Sequence, residues 1–130
     1  MDMTVVEKNL AVARRVCEGW AHMTREEFHE VMAPDVDYRN IPIEGDHHVG
    51  PDAAFEILNR FSQRWEVRLQ VDNIAANEHA VLTERTEFFV DRAGKKPSFE
   101  LPVMGTFDVR DGKITAWRDY FELSHLRLRG

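Results

Sequence analysis

Val109-Arg110-Asp111-Gly112-Lys113-Ile114-Thr115-Ala116-Trp117-Arg118-Asp119-Tyr120-Phe121 is the stretch on which the architecture turns. Asp-Gly between two runs of strand-like character is a strong hairpin signal, because these residues tolerate the positive φ that a tight turn demands. The segment reads as a strand over about 97–110, the turn, and a last strand over about 113–124. Side chains alternate across a strand, so Trp117, Asp119 and Phe121 share one face. A carboxylate is thereby set among aromatic rings.

The preceding run Thr83-Glu84-Arg85-Thr86-Glu87-Phe88-Phe89 repeats the anomaly. In a strand over about 78–91, Arg85 and Glu87 share a face with Val81, Thr83 and Phe89. Burying an unpaired ion costs roughly several kcal/mol, so these charges are expected to pair, with Arg85 between two carboxylates. Further upstream, Trp65, Val67, Leu69 and Val71 alternate with Arg64, Glu66, Arg68 and Gln70, a strand with one wet face. These strands form an antiparallel meander.

The N-terminal half reads as helices. Thr4-Val5-Val6-Glu7 and Thr24-Arg25-Glu26-Glu27 are capping boxes, opening helices through about Trp20 and up to Ala33-Pro34. Val36 to Ile41 is a short extended segment. A loop containing His47 and His48 leads to Gly50-Pro51-Asp52, where Pro51 suits the first turn of a third helix through about Gln63. Helices grouped before a curved antiparallel or mixed sheet define an α+β fold, with three N-terminal helices covering one sheet face and leaving an internal pocket.

The 130 residues and 43% hydrophobic content fit one domain, 1–130. A net charge of −6 argues against nucleic-acid and anionic-membrane partners, which favour clustered Lys and Arg. The single cysteine, Cys17, lies on an apolar helical face and reads as packing. No leader or membrane-length apolar run is visible, so a cytoplasmic protein is expected. No metal site is expected either: adjacent histidines such as His47 and His48 rarely converge on one ion, and His22, His29, His79 and His125 read as surface or capping residues. Lys95-Lys96 and Arg127-Leu128-Arg129 read as solvated turns or ends, and Gly105 as a bend in the sheet.

Tyr38 and Asn40, two apart in the short strand, point to one side and offer a phenol and an amide that can hold a water. If Asp119 reaches that water, it can accept its proton as a general base. Glu87 on the opposite wall can act as the acid if its surroundings keep it protonated, while Arg85 bridges the carboxylates and keeps Asp119 ionised. Such a set suits hydrolysis of a strained ether. The same residues also fit a buried salt bridge with no catalytic role.

Tyr38-x-Asn40-x-Pro42, Glu84-Arg85-x-Glu87 and Gly112-Lys113-Ile114-x-x-Trp117-Arg118-Asp119-Tyr120-Phe121 resemble, in order and spacing, the three active-site segments of the limonene-1,2-epoxide hydrolase family. That resemblance implies the cone-shaped, cystatin-like fold shared with the nuclear transport factor 2 and ketosteroid isomerase superfamily. It also implies homodimers formed through the outer sheet face, and one-step epoxide hydrolysis without a cofactor. The partners it implies are a small apolar, cyclic or terpenoid-like epoxide and a catalytic water. Asp119 would be the base, Tyr38 and Asn40 would co-position the water, Arg85 would orient both carboxylates, and Glu87 would protonate the epoxide oxygen. One departure stands out: the family's Arg-x-Asp is here Arg85-x-Glu87, which reaches roughly an ångström further into the pocket. By position, Val81, Thr83, Leu101, Val103, Met104, Phe121 and Met32 are candidates for the substrate-facing wall. The alternatives are an isomerase, dehydratase or epoxide-opening cyclase on the same fold, or a small-molecule-binding module without turnover.

Overall fold

The computed structural model describes residues 2–129, with side chains described as far as residue 126. Both capping boxes form. In α1 (Val5–Gly19) the Thr4 hydroxyl accepts the Glu7 N–H at 3.1 Å while Glu7 accepts the Thr4 N–H. In α2 (Arg25–Val31) Thr24 and Glu27 make the same exchange at 3.2 and 3.1 Å. Each box satisfies N–H groups that a helix start would otherwise leave unpaired.

β1 (Met32–Asn40) begins as soon as α2 ends, earlier than the expected start at Val36, and it contains Pro34. Its ladder with the neighbouring strand is interrupted between Met32 and Asp37, where Pro34 lies, so the missing N–H forfeits no ladder bond there. The two-residue β2 (His48–Val49) pairs with β1 and feeds α3 (Pro51–Arg64), which starts on Pro51 as expected. Then come β3 (Trp65–Ala76), β4 (Ala80–Asp91), β5 (Phe99–Arg110) and β6 (Lys113–Tyr120). The last strand stops at Tyr120 rather than near residue 124, and α4 (Leu123–Arg129) takes in the last two residues of its expected span. The expectation for the side chains of Arg127, Leu128 and Arg129 falls outside the described residues.

The sheet order is β2-β1-β6-β5-β4-β3. The meander is antiparallel as read from the sequence, and β1 joins β6 in parallel, making a mixed sheet. Register shifts at Val71/Asn73 and Asp108/Val109 supply bulges, which bend and twist strands. The sheet curls around a core of Val36, Phe107, Ile114 and Trp117, all fully buried, with Val16 and Phe28 from the helices above. Along β4 the alternation is complete: Val81, Thr83, Arg85, Glu87 and Phe89 are buried, whereas Leu82, Glu84 and Val90 are exposed. Among the described residues, no helix is long and apolar enough to cross a membrane.

Lys95 and Lys96 lie in the turn after β4, as the sequence suggested. The signal for its shape is Asp91, whose buried carboxylate accepts the backbone N–H groups of Ala93, Lys95 and Lys96 at 3.1, 3.1 and 2.9 Å. These bonds hold its pKa below the ordinary carboxylate value even though burial pushes the other way.

Candidate active site

Strand register brings the anomalous residues together. Asn40 on β1 lies beside Asp119 on β6, and Tyr38 beside Trp117. Asp119 lies opposite Gly105 on β5, which in turn faces Thr83 on β4. Two positions along β4 comes Arg85, whose guanidinium reaches across Gly105 to place Nη2 at 2.7 Å from Asp119 Oδ1. Glu87 Oε2 stands 3.8 Å from the same nitrogen. Tyr38, Asn40, Glu87 and Asp119 line one cavity whose apolar walls include Leu58, Phe61, Phe89, Leu101, Val103 and Phe121, with Arg85 packed beneath it.

Gly105 explains how three polar side chains fit into one layer of a sheet. A Cβ there would meet Asp119 Oδ1 at 2.5 Å, Thr83 Oγ1 at 3.1 Å and Arg85 Cζ at 3.3 Å. The glycine therefore vacates the space that the ion pair fills. Read from sequence it is a bend; in the fold it is a seat for charge.

The two carboxylates occupy different surroundings. Asp119 Oδ1 accepts the Trp117 indole N–H at 2.8 Å in addition to the Arg85 contact, and Oδ2 has no hydrogen-bond partner among the described residues. Burial works against the charge on Arg85, but the fields of Asp119 and Glu87 outweigh it and raise its pKa, so it remains a guanidinium. Burial drives Glu87 from an ordinary 4.5 up to about 7, with Asp119 adding to the rise and Arg85 and the Trp20 indole opposing it. At 3.4 Å Glu87 Oε2 accepts the indole N–H of Trp20, a pocket-lining donor whose helix the sequence reading ended at about that residue.

Tyr38 donates its hydroxyl to Asn40 Oδ1 at 3.3 Å. Burial, then the fields of Asp119 and Glu87, push the phenol's pKa well above its ordinary value, so it keeps its proton. Asn40 is held on its other side by Asp46, whose carboxylate accepts both the Asn40 backbone and side-chain N–H groups. Asp46 was not singled out from the sequence, where nothing in a Gly- and His-rich loop marks which polar side chain will fold back onto the strand. Cys17 packs against Arg85 with Sγ at 3.7 Å from Nη1, and burial pushes the thiol up to about 11, which keeps it neutral.

Not all of the expected wall residues reach the cavity. Leu101, Val103 and Phe121 do. Val81, Thr83 and Met32 lie beyond the Arg85–Asp119 pair, on the closed side: Val81 and Met32 are sealed in the core, and Thr83 donates its hydroxyl to the Gly105 carbonyl at 3.1 Å. Met104 faces outward and is 54% exposed. Strand alternation forbids adjacent Val103 and Met104 from both facing inward, and β5 stays in register with β4 at both positions. The histidines of the loop pair with carboxylates, His47 with Asp37 and His48 with Asp46. Among the described residues no three His, Cys, Asp or Glu side chains converge as a metal site.

Comparison with known proteins bears on the fold and the family. The solved structure of a Mycobacterium tuberculosis LEH-like epoxide hydrolase superposes with a TM-score of 0.80 at 23% identity, covering 98% of this chain and 87% of that one. A proposed SnoaL-like polyketide cyclase from Jannaschia sp. CCS1 gives 0.83 at 16% identity, covering 99% and 96%. Both likenesses speak to the fold. In sequence, epoxide hydrolase EphG of M. tuberculosis H37Rv is 37% identical over 67 residues, 52% of this chain and 43% of that protein, so the match spans less than half of that relative. The family model described as the limonene-1,2-epoxide hydrolase catalytic domain matches residues 9–128, nearly the whole chain, and the chain belongs to that family.

Proposed function

We propose that the protein hydrolyses a small apolar epoxide, cyclic and terpenoid-like in character, to a vicinal diol in one step. The observation that carries this reading is the division of labour between the carboxylates. Asp119 has one oxygen anchored by Arg85 and Trp117 and the other without a hydrogen-bond partner among the described residues, whereas burial pushes Glu87 up to about 7, so that about half of it holds a proton at neutrality. One is a base and the other an acid within a single cavity.

In this mechanism Tyr38 and Asn40 hold a water beside Asp119. As the water oxygen attacks an epoxide carbon, Asp119 Oδ2 takes one of its protons and the carbon–oxygen bond breaks. The electron pair goes to the departing oxygen, which takes the Glu87 proton and becomes the second hydroxyl. The cycle closes when solvent returns a proton to Glu87 and removes one from Asp119. Arg85 stays charged throughout and keeps its 2.7 Å contact with Asp119 Oδ1. The apolar walls exclude bulk water and strengthen these interactions.

Exposed Met104 and Tyr120 are cross-strand partners on the outer sheet face, and exposed Leu82 and Val90 lie on the same face, which supports pairing with a second copy of the chain. The test of function is turnover of cyclic epoxides, limonene-1,2-epoxide among them, in ¹⁸O-labelled water beside Asp119→Asn. Diol with one label from the parent, and a loss of about 10²–10⁴-fold in the variant, is the expected result. Unlabelled rearranged product would replace the hydrolase reading with an isomerase or cyclase. Binding without any conversion would replace it with a binding module.

A further inference from the structure

The water site proposed above has a support outside the three motif segments. An asparagine side chain can present either its oxygen or its NH₂ to a given neighbour, and the two orientations differ little in shape but are opposite in hydrogen-bond sense. A water held between Asn40 and Asp119 needs one of them consistently. In this fold Asn40 is gripped on two sides, and it is the Asp46 side that selects the orientation. Asp46 Oδ2 accepts the Asn40 backbone N–H at 2.7 Å and a side-chain Nδ2–H at 3.2 Å, so the amide's NH₂ end faces an oxygen already placed by the backbone. Tyr38, which keeps its proton, donates to Oδ1 from the other side.

Asp46 is itself held. Its second oxygen, Oδ1, lies 2.9 Å from His48 Nε2, with the two side chains 14% and 21% exposed. The chain turns through Gly45 at φ 74°, and the Asp46 N–H returns to the Ile43 carbonyl at 3.2 Å. The His48 ring lies 5.7 Å from that of Tyr38. A linked series, His48 to Asp46 to Asn40 to Tyr38, thus runs along the rim of the cavity.

We infer that Asp46 is a positioning residue of the water site, fixing the orientation of the Asn40 amide, with His48 holding Asp46 in place. This inference rests on the hydrolase reading for its catalytic consequence, though its structural consequence stands apart. The test is a double-mutant cycle of Asp46→Ala and Asn40→Ala read by steady-state kinetics, with Asp46→Asn as a second variant that keeps the loop's shape. Asp46→Ala is expected to lower kcat by about 10–100-fold with KM little changed, and to have no further effect once Asn40 is alanine. Asp46→Asn should recover part of the loss. A merely structural Asp46 would lower kcat by the same factor in both backgrounds, and that result would overturn the inference.

The same variants are read without turnover through the ¹H–¹⁵N NMR signals of the Asn40 side-chain amide. The two amide protons should be well separated and slow to exchange in the parent, and should converge and exchange faster in Asp46→Ala. Unchanged amide signals in that variant would overturn the inference whatever the activity. Absence of epoxide turnover by the parent, with the amide still released by the substitution, would instead count against the hydrolase reading and leave Asp46 as the group that orients Asn40.

Discussion

Arg118 and Asp119 are consecutive residues of β6 that face opposite sides of the sheet, and each belongs to an arginine–aspartate pair. On the outer face Arg118 makes two parallel bonds to Asp108, at 3.0 and 3.1 Å, with side chains 28% and 44% exposed. On the inner face Arg85 meets Asp119 at 2.7 Å with almost no exposure, yet its Nε and Nη2 lack a well-aligned hydrogen-bond partner among the described residues. The better-formed pair stands where it matters least, since exposed ion pairs contribute only about 0.2–1 kcal/mol. The buried pair is short but poorly satisfied, and buried pairs often contribute less than apolar residues of the same volume would. Stability alone does not account for the inner pair, and charged groups gathered in an apolar cavity mark a candidate functional site.

The contrast is broken most severely by Arg85→Met. Removing one member of a buried pair typically costs about 3–5 kcal/mol, and here it leaves Asp119 and Glu87 facing each other without their shared cation. A large fall in the urea midpoint together with loss of turnover is expected; wild-type stability would mean that Arg85 contributes nothing to the pair's environment. Gly105→Ala acts next. The new methyl would need the space occupied by Asp119 Oδ1, so activity should fall by about 10²-fold and stability by about 1–3 kcal/mol. Kinetics and thermal unfolding on one sample measure both.

A pH titration sharpens the difference between the faces without mutation. Glu87 binds its proton more tightly when folded, at about 7 against an ordinary 4.5. Its contribution is therefore fully present below about 4.5 and is lost as pH rises through about 7. The rate should decline over the same upper range because the acid must hold its proton. Glu87→Gln should erase this component of the stability slope, and an unchanged slope would remove Glu87 as its origin. The smallest effect belongs to the outer pair: Arg118→Gln should cost no more than about 1 kcal/mol, diminish further in salt, and leave kcat unaltered.

The parts of the molecule legible in the sequence were those in which a local rule was either obeyed or visibly broken. Thr4 with Glu7 and Thr24 with Glu27 satisfy helix starts within one turn, and Asp111-Gly112 closes its hairpin in two residues. Arg85, Glu87 and Asp119 stood out because charge on an inward strand face contradicts the alternation around it. What stayed hidden depends on residues distant in the chain. Trp20 meets Glu87 only after α1 packs on the sheet, and the reason for Gly105 appears only when β4 and β6 flank it. Met104 faces outward while its neighbour Val103 faces in, and β6 ends at Tyr120 rather than near residue 124, where α4 has already begun. Substitution of Glu for the family's Asp was visible at once, but its companion indole was not.

The parallel contact of β1 with β6 has a consequence for how the protein comes into being. Asn40 and Asp119 become neighbours by joining segments near opposite ends of the chain, with the whole meander between them. Such a contact closes a long loop, so its ordering cost is met before it contributes anything in return. During synthesis Tyr38 and Asn40 are made long before Asp119, and a nascent chain lacking residues 113–120 has only part of the cavity wall. The cavity is therefore a late product of folding, closed only when the last strand docks beside β1.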